Sequence, residues 1–185
     1  MKIVIIGSST GGPFILEQIF SGFPQTPICI IIIQHLPGAF TGAFREHIEI
    51  LTSMKVVVAT AGDQISEGKI FIAPAGKHMI LEHNRKIHLD DGEKIHGVKP
   101  SIDRTMLSLE KRFEDKLAGI VLTGMGQDGA EGIAHIRDLG GLTIAQDPAT
   151  SPIKSMPLAA MDTRKVCEIL TPSGITRAII QFGTC

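Results

Sequence analysis

The chain has 185 residues, 43% of them hydrophobic and 20% charged, with a formal net charge of −1 at pH 7. This length and mixture suit one globular domain and exclude disordered, collagen-like and coiled-coil architectures. A near-neutral chain without Trp or Tyr supplies neither the cationic field nor the usual stacking platforms of nucleic-acid binding, so no nucleic-acid partner is expected.

Lys2 to Ile6 is a β-branched run ended by Gly7, and Pro13 opens a stretch whose Phe14, Ile15, Ile19 and Phe20 suit one helix face. Ile28 to Ile33 is apolar throughout, as expected of a strand covered on both faces in a parallel sheet. It is far shorter than the roughly 20 residues of a membrane span, and the Met1-Lys2 start resembles no signal peptide. No membrane insertion and a cytoplasmic location are expected. Phe44, Ile48 and Leu51 predict a helix over Thr41 to Leu51, and strand composition returns from Lys55 to Ala59. Lys69 to Ala73, His78 to Glu82 and Lys86 to Leu89 read as short strands separated by turn residues, which predicts antiparallel hairpins. Ser101 is a candidate cap for a helix carrying Ile102, Met106, Leu109 and Phe113. Leu117 to Leu122 is another buried strand, followed by the loop Thr123 to Gly129 and a helix through Ile133 and Ile136 that stops at Gly140-Gly141. Leu142 to Ala145 reads as a strand, and Thr171-Pro172 starts a last helix with Ile175, Ala178, Ile179 and Phe182. Between these two the tail shows no legible element.

The alternation implies a single α/β domain over residues 1–185. Its fold class is a mostly parallel, doubly wound (Rossmann-like) sheet with helices on both faces and a small antiparallel hairpin at one edge. Cys29, Cys167 and Cys185 cannot all pair and form no Cys-x-x-Cys motif, which fits a reducing compartment.

In such a sheet, ligands gather where loops leave the carboxyl ends of the strands. Ser9, His35 and Asp128 each lie just beyond a strand. A hydroxyl, an imidazole and a carboxylate are the set that activates a weak alcohol nucleophile. Each also has a plainer reading: Ser9 as a helix cap, His35 as a core or loop histidine, Asp128 as a turn residue or cap. Asp147 also follows a strand, so the residues alone leave the choice of carboxylate open. The glycine-rich first loop lacks the G-x-G-x-x-G and Walker patterns, and its amides would suit an oxyanion as well as a phosphate. The other histidines, His47, His78, His83, His88, His96 and His135, show no metal spacing and read as polar surface. For His78 a place lining the site edge is the alternative.

The segments Ile6 to Pro13, Gln34-His35-Leu36-Pro37, Leu122 to Ala130 and Ala145-Gln146-Asp147 resemble, in order and spacing, the catalytic domain of the CheB protein-glutamate methylesterase family. Similarity continues through Gly38 to Phe44, Ile72 to His78 and Pro100 to Asp103. The resemblance implies Ser9 as nucleophile, His35 as general base and Asp128 as orienting carboxylate, with Thr10 and the Met125 backbone amide holding the oxyanion. It implies a carboxylic ester hydrolase that demethylates receptor glutamate esters, with glutamine deamidation as a related activity and no metal or organic cofactor. The implied partner is a methylated chemotaxis receptor or similar methylated protein. The family usually joins a receiver domain to this unit, whereas the first strand here begins at Lys2. An isolated domain, a natural single-domain relative and a fragment are the open alternatives, with a receiver partner in trans as one expectation. The chain departs from the family at Leu36-Pro37-Gly38 and from Pro148 to Pro157, where Pro148, Pro152 and Lys154-Ser155 alter the surface beside the expected site. The competing expectation is a noncatalytic partner-binding domain whose altered loop no longer accepts ester.

Overall fold

The computed structural model describes residues 1–110 and 115–184. Its strands are β1 (Lys2–Ser8), β2 (Cys29–Gln34), β3 (Lys55–Val58), β4 (Lys69–Ile72), β5 (His78–Leu81), β6 (Ile87–Asp90), β7 (Lys116–Val121), β8 (Leu142–Gln146) and β9 (Glu168–Leu170). Its α-helices are α1 (Gly12–Phe20), α2 (Thr41–Leu51), α3 (Ile102–Leu107), α4 (Ala130–Asp138), α5 (Ser155–Asp162) and α6 (Pro172–Thr184).

Seven strands form one parallel sheet in the order β3-β4-β2-β1-β7-β8-β9. The apolar runs predicted as two-faced strands are used that way. Val4, Ile6, Ile30 and Ile32 point into a core shared with residues of α1, α2 and α6. The alternate residues Ile3, Ile5, Ile31 and Ile33 enter a second core with residues of β5, α3, α4 and α5. The chain leaves β1 first toward β2 and later returns to β1's other side as β7. The carboxyl ends of β1, β2 and β7 therefore flank a topological switch point, the place where an open α/β sheet forms its ligand crevice.

Three expectations need amendment. Lys69–Ile72 joins the parallel sheet between β2 and β3 rather than a hairpin; only β5 and β6 pair antiparallel, as a separate two-stranded sheet. Met79, Leu81 and Ile87 of that pair belong to the second core. The helix opened by Ser101 ends at Leu107, so Leu109 is buried beyond it, while Phe113 and Cys185 lie outside the described residues. The tail contains α5 and β9, two elements too short to show a period: β9 has 3 residues and α5 has 8.

Candidate active site

Three of the predicted site residues converge on the switch point. Ser9 follows β1, His35 follows β2, and Asp128 ends the loop after β7. Their backbones are tied together: the His35 amide donates to Ser8 O at 3.0 Å, and the Ser9 amide donates to Thr123 O at 3.0 Å.

Asp128 is the most heavily engaged side chain of the group. His35 Nε2 lies 2.9 Å from its Oδ2, which also accepts the Ile102 amide at 2.7 Å. Oδ1 accepts the Ser101 hydroxyl at 2.8 Å and the Asp103 amide at 3.0 Å. Burial alone would raise this carboxyl, but the hydrogen bonds from His35, the Asp103 and Ile102 amides and Ser101 outweigh it and hold it below the ordinary carboxylate range. It is therefore an anion placed against the imidazole. The α3 turn can approach this closely because β1 carries Gly7, where a Cβ would meet Ile102 side-chain carbons at 2.5–2.8 Å.

With Nε2 turned to Asp128, the other ring nitrogen of His35 is left to work. Nδ1 is buried and has no hydrogen-bond partner. When Nε2 carries the proton shared with Asp128, Nδ1 holds a lone pair and can accept one. Ser9 is half-buried, and its hydroxyl makes no hydrogen bond to His35 or to any other described residue. Thr10 is exposed, its carbonyl held by Thr123 Oγ1 at 3.0 Å, and Met125 is 73% exposed on the β7 loop.

The helix-cap readings do not describe Ser9 and Asp128. The residue capping α1 is Gly11 and that capping α4 is Gly129, neither with a side-chain cap, so Ser9 and Asp128 serve neither helix in that way. Asp147 is spent on its own turn, where Oδ1 accepts the Ala149 amide at 2.8 Å. The divergent segment is built into the site rather than hanging over it. Thr123 Oγ1 accepts the Ile153 amide at 2.9 Å, and the Gly124 amide donates to Ile153 O at 3.1 Å.

The sequence reading missed several residues that support this arrangement. Ser101 does cap α3, accepting the Arg104 amide at 3.2 Å, but the same hydroxyl also holds Asp128. His78, expected on the polar surface, is 1% exposed. Its Nδ1 accepts the Ser101 amide at 3.1 Å while Nε2–H donates to Glu93 O at 2.8 Å, which fixes a neutral tautomer. Asp103 is 2% exposed. Its Oδ1 accepts the Gly132 amide at 2.7 Å, its Oδ2 has no hydrogen-bond partner, and His96 Nε2 stands 3.5 Å from Oδ2. Burial first, and the Asp128 charge after it, push this carboxyl up to about 6.

Among the described residues, His96, Asp103 and Asp128 offer ligand atoms within 4.8 Å of one another. Both Asp128 oxygens already accept hydrogen bonds from the α3 turn, so the group reads as a carboxylate clamp rather than a metal centre. Cys29 takes no part, since burial pushes its thiol up to about 12 and keeps it protonated. No helix among the described residues is long and apolar enough to cross a membrane.

Comparison with known proteins identifies the family. Residues 4–179 match the family model for CheB methylesterase. The chain is 38% identical over 181 residues to a protein-glutamate methylesterase/protein-glutamine glutaminase of Symbiobacterium thermophilum, covering 97% of this chain and 50% of that protein. A Haloarcula marismortui protein of the same description is 39% identical over 186 residues, covering 98% and 50%. The chain thus spans about half the length of these curated relatives. The crystal structure of the Thermotoga maritima CheB methylesterase catalytic domain superposes with a TM-score of 0.91 at 33% identity, covering 97% of each chain. With a family model matching residues 4–179 and a structural match over nearly the full chain, the chain belongs to the CheB methylesterase family.

Proposed function

We propose that this chain is a serine carboxylic ester hydrolase that removes methyl groups from glutamate methyl esters of a methylated chemotaxis receptor. The observation that carries the reading is the His35–Asp128 contact of 2.9 Å combined with an unpartnered His35 Nδ1. Ser9 Oγ attacks the ester carbonyl while Nδ1 takes its proton. Asp128 holds the ring and stabilises the imidazolium through Nε2. The tetrahedral oxyanion is received by Thr10 and the Met125 amide, both on loops at the same rim. Collapse breaks the C–O bond to the methoxy group, which leaves as methanol with the proton from Nδ1. Water, deprotonated by the same nitrogen, then attacks the acyl-enzyme and releases the glutamate carboxylate and Ser9.

The description of the relatives, which pairs methylesterase with glutaminase, supports the same cycle on a glutamine side chain. The leaving group is then ammonia instead of methanol. Incubation with methylated receptor should release methanol, and Ser9→Ala should lower the rate by about 10³-fold or more. Receptor binding without methanol release, or an unchanged rate in Ser9→Ala, would overturn the proposal in favour of a binding domain or another nucleophile.

A further inference from the structure

Gln34 is a polar residue at the end of an otherwise apolar strand, and it is 3% exposed. It lies on the α1 side of the sheet, two residues along from Ile32. Both of its amide protons are committed to the site. Oε1 accepts the Ser8 hydroxyl at 2.6 Å, while the Ser9 and His35 carbonyls, which can only accept, fix which end of the amide faces them. Nε2 then donates one proton to Ser9 O at 2.9 Å and the other to His35 O at 3.0 Å. Among the described residues, no other side chain hydrogen-bonds the backbones of both Ser9 and His35. Ser9 O also accepts the Gly12 amide at 2.8 Å, so two donors fix the orientation of that peptide. Space for the amide depends on the first residue of α1, because a Cβ at Gly12 would stand 2.0 Å from Gln34 Oε1.

We propose that Gln34 is a positioning residue for the hydrolase reaction: its carboxamide cross-links the carbonyls of Ser9 and His35 and so sets the approach of the nucleophile to the base. This rests on the assignment of Ser9 and His35 given under Proposed function. Neither residue is held by its own side chain alone, since the Ser9 hydroxyl is unbonded and His35 is tethered only through Nε2. Their relative placement is therefore a backbone matter, and Gln34 is the side chain that joins the two backbones. Glutamate at this position keeps the shape but turns carboxylate oxygens toward two carbonyl oxygens; methionine keeps the volume and loses every bond. Ser8→Ala is the mild variant, removing the one bond to Oε1 while leaving both Nε2 bonds in place.

The test uses an alkyl fluorophosphonate, which reports on the nucleophile without any receptor. Ser9 Oγ forms the bond to phosphorus, fluoride leaves, and His35 takes the proton. Labelling of Ser9 is followed by mass spectrometry from pH 6 to 9, with melting temperature measured alongside and methanol release split into kcat and KM. In whichever of Gln34→Met and Gln34→Glu melts as a folded protein, labelling and kcat should fall about 10²-fold, as for a misplacement of about 1 Å. KM should stay within about threefold of wild type. Ser8→Ala should lose about 3- to 10-fold. The residual labelling should climb with hydroxide concentration instead of levelling off as it does with a histidine base. Labelling within threefold of wild type in a folded Gln34 variant, or in Ser8→Ala with an unaltered pH profile, overturns the positioning role. A wild-type protein unlabelled at Ser9 overturns the nucleophile assignment instead.

Discussion

Asp103 makes stability depend on pH in a direction opposite to that of an ordinary salt-bridged carboxylate. Its carboxyl is raised from 3.8 to about 6, by burial first and by the Asp128 charge second. The folded state therefore binds the proton more tightly than the unfolded chain. Its contribution is fully present below pH ~4 and is lost as pH rises through ~6. The raised value corresponds to on the order of 2–3 kcal/mol. Asp128, held low by its hydrogen bonds, has the reverse dependence, which is lost as pH falls, so the wild-type curve mixes the two. Asp103→Asn separates them. Asparagine keeps an oxygen for the Gly132 amide, and its NH2 can donate to His96 Nε2, which now faces Oδ2 at 3.5 Å. Urea unfolding of both proteins from pH 4 to 8 should show the variant gaining about 2 kcal/mol relative to wild type between pH 4 and 7. A difference that stays flat over that range would mean that Asp103 ionises normally, and the account of its burial beside Asp128 would be wrong.

Ser101→Ala removes a hydrogen bond to the Asp128 anion, made at 2.8 Å. It should cost about 1.5–3 kcal/mol at neutral pH, and the part owed to Asp128 should shrink once pH falls below the ordinary carboxylate range and the anion takes up a proton, as measured by urea unfolding from pH 7 downward. Gly7→Ala places a Cβ against Ile102. Thermal unfolding should show a loss of about 1–3 kcal/mol, and methanol release per folded molecule should fall further, because the displaced turn carries the donors to Asp128. Asp128→Ala should reduce kcat by about 10²-fold or more while leaving KM near wild type. Asp147→Ala, which disturbs only its own turn, should keep kcat within about threefold of wild type.

The parallel sheet was legible because its central strands are continuous β-branched runs, and Ile28 to Ile33 admits no one-sided reading. The candidate site is legible as a set of polar residues at strand ends. The residues supporting that set were hidden for specific physical reasons. His78 reads as hairpin surface because its burial depends on α3 folding back over β5, a contact between residues 23 apart in the chain. Ser101 carries a complete local explanation as a helix cap, which masks its second role. Asp103 is an acidic residue in a first helical turn, ordinarily a solvent-exposed position. Gln34 and Gln146 did leave a signal, since each is a polar residue closing a strand whose preceding positions are mostly apolar and buried. Lys69–Ile72 was misassigned because four residues flanked by turns fit a hairpin as well as a sheet interior; only its partners decide.

The two glutamines follow one construction rule. Gln146 closes β8 as Gln34 closes β2, and its Oε1 accepts the Thr123 amide at 2.8 Å while Nε2 donates to Thr150 O at 3.0 Å. Each side-chain amide thus continues the sheet's hydrogen bonding into loops that have left the strand geometry, one holding the Ser9–His35 pair and the other the loop toward Met125. Beyond the strand ends the parallel ladder supplies no further bonds, and the buried loop carbonyls and amides need partners of their own. A glutamine can supply both donor and acceptor without bringing a charge into these buried loops. The site's precision therefore comes from neutral amides at the rim, with its charge confined to the Asp128 clamp formed by the first turn of α3.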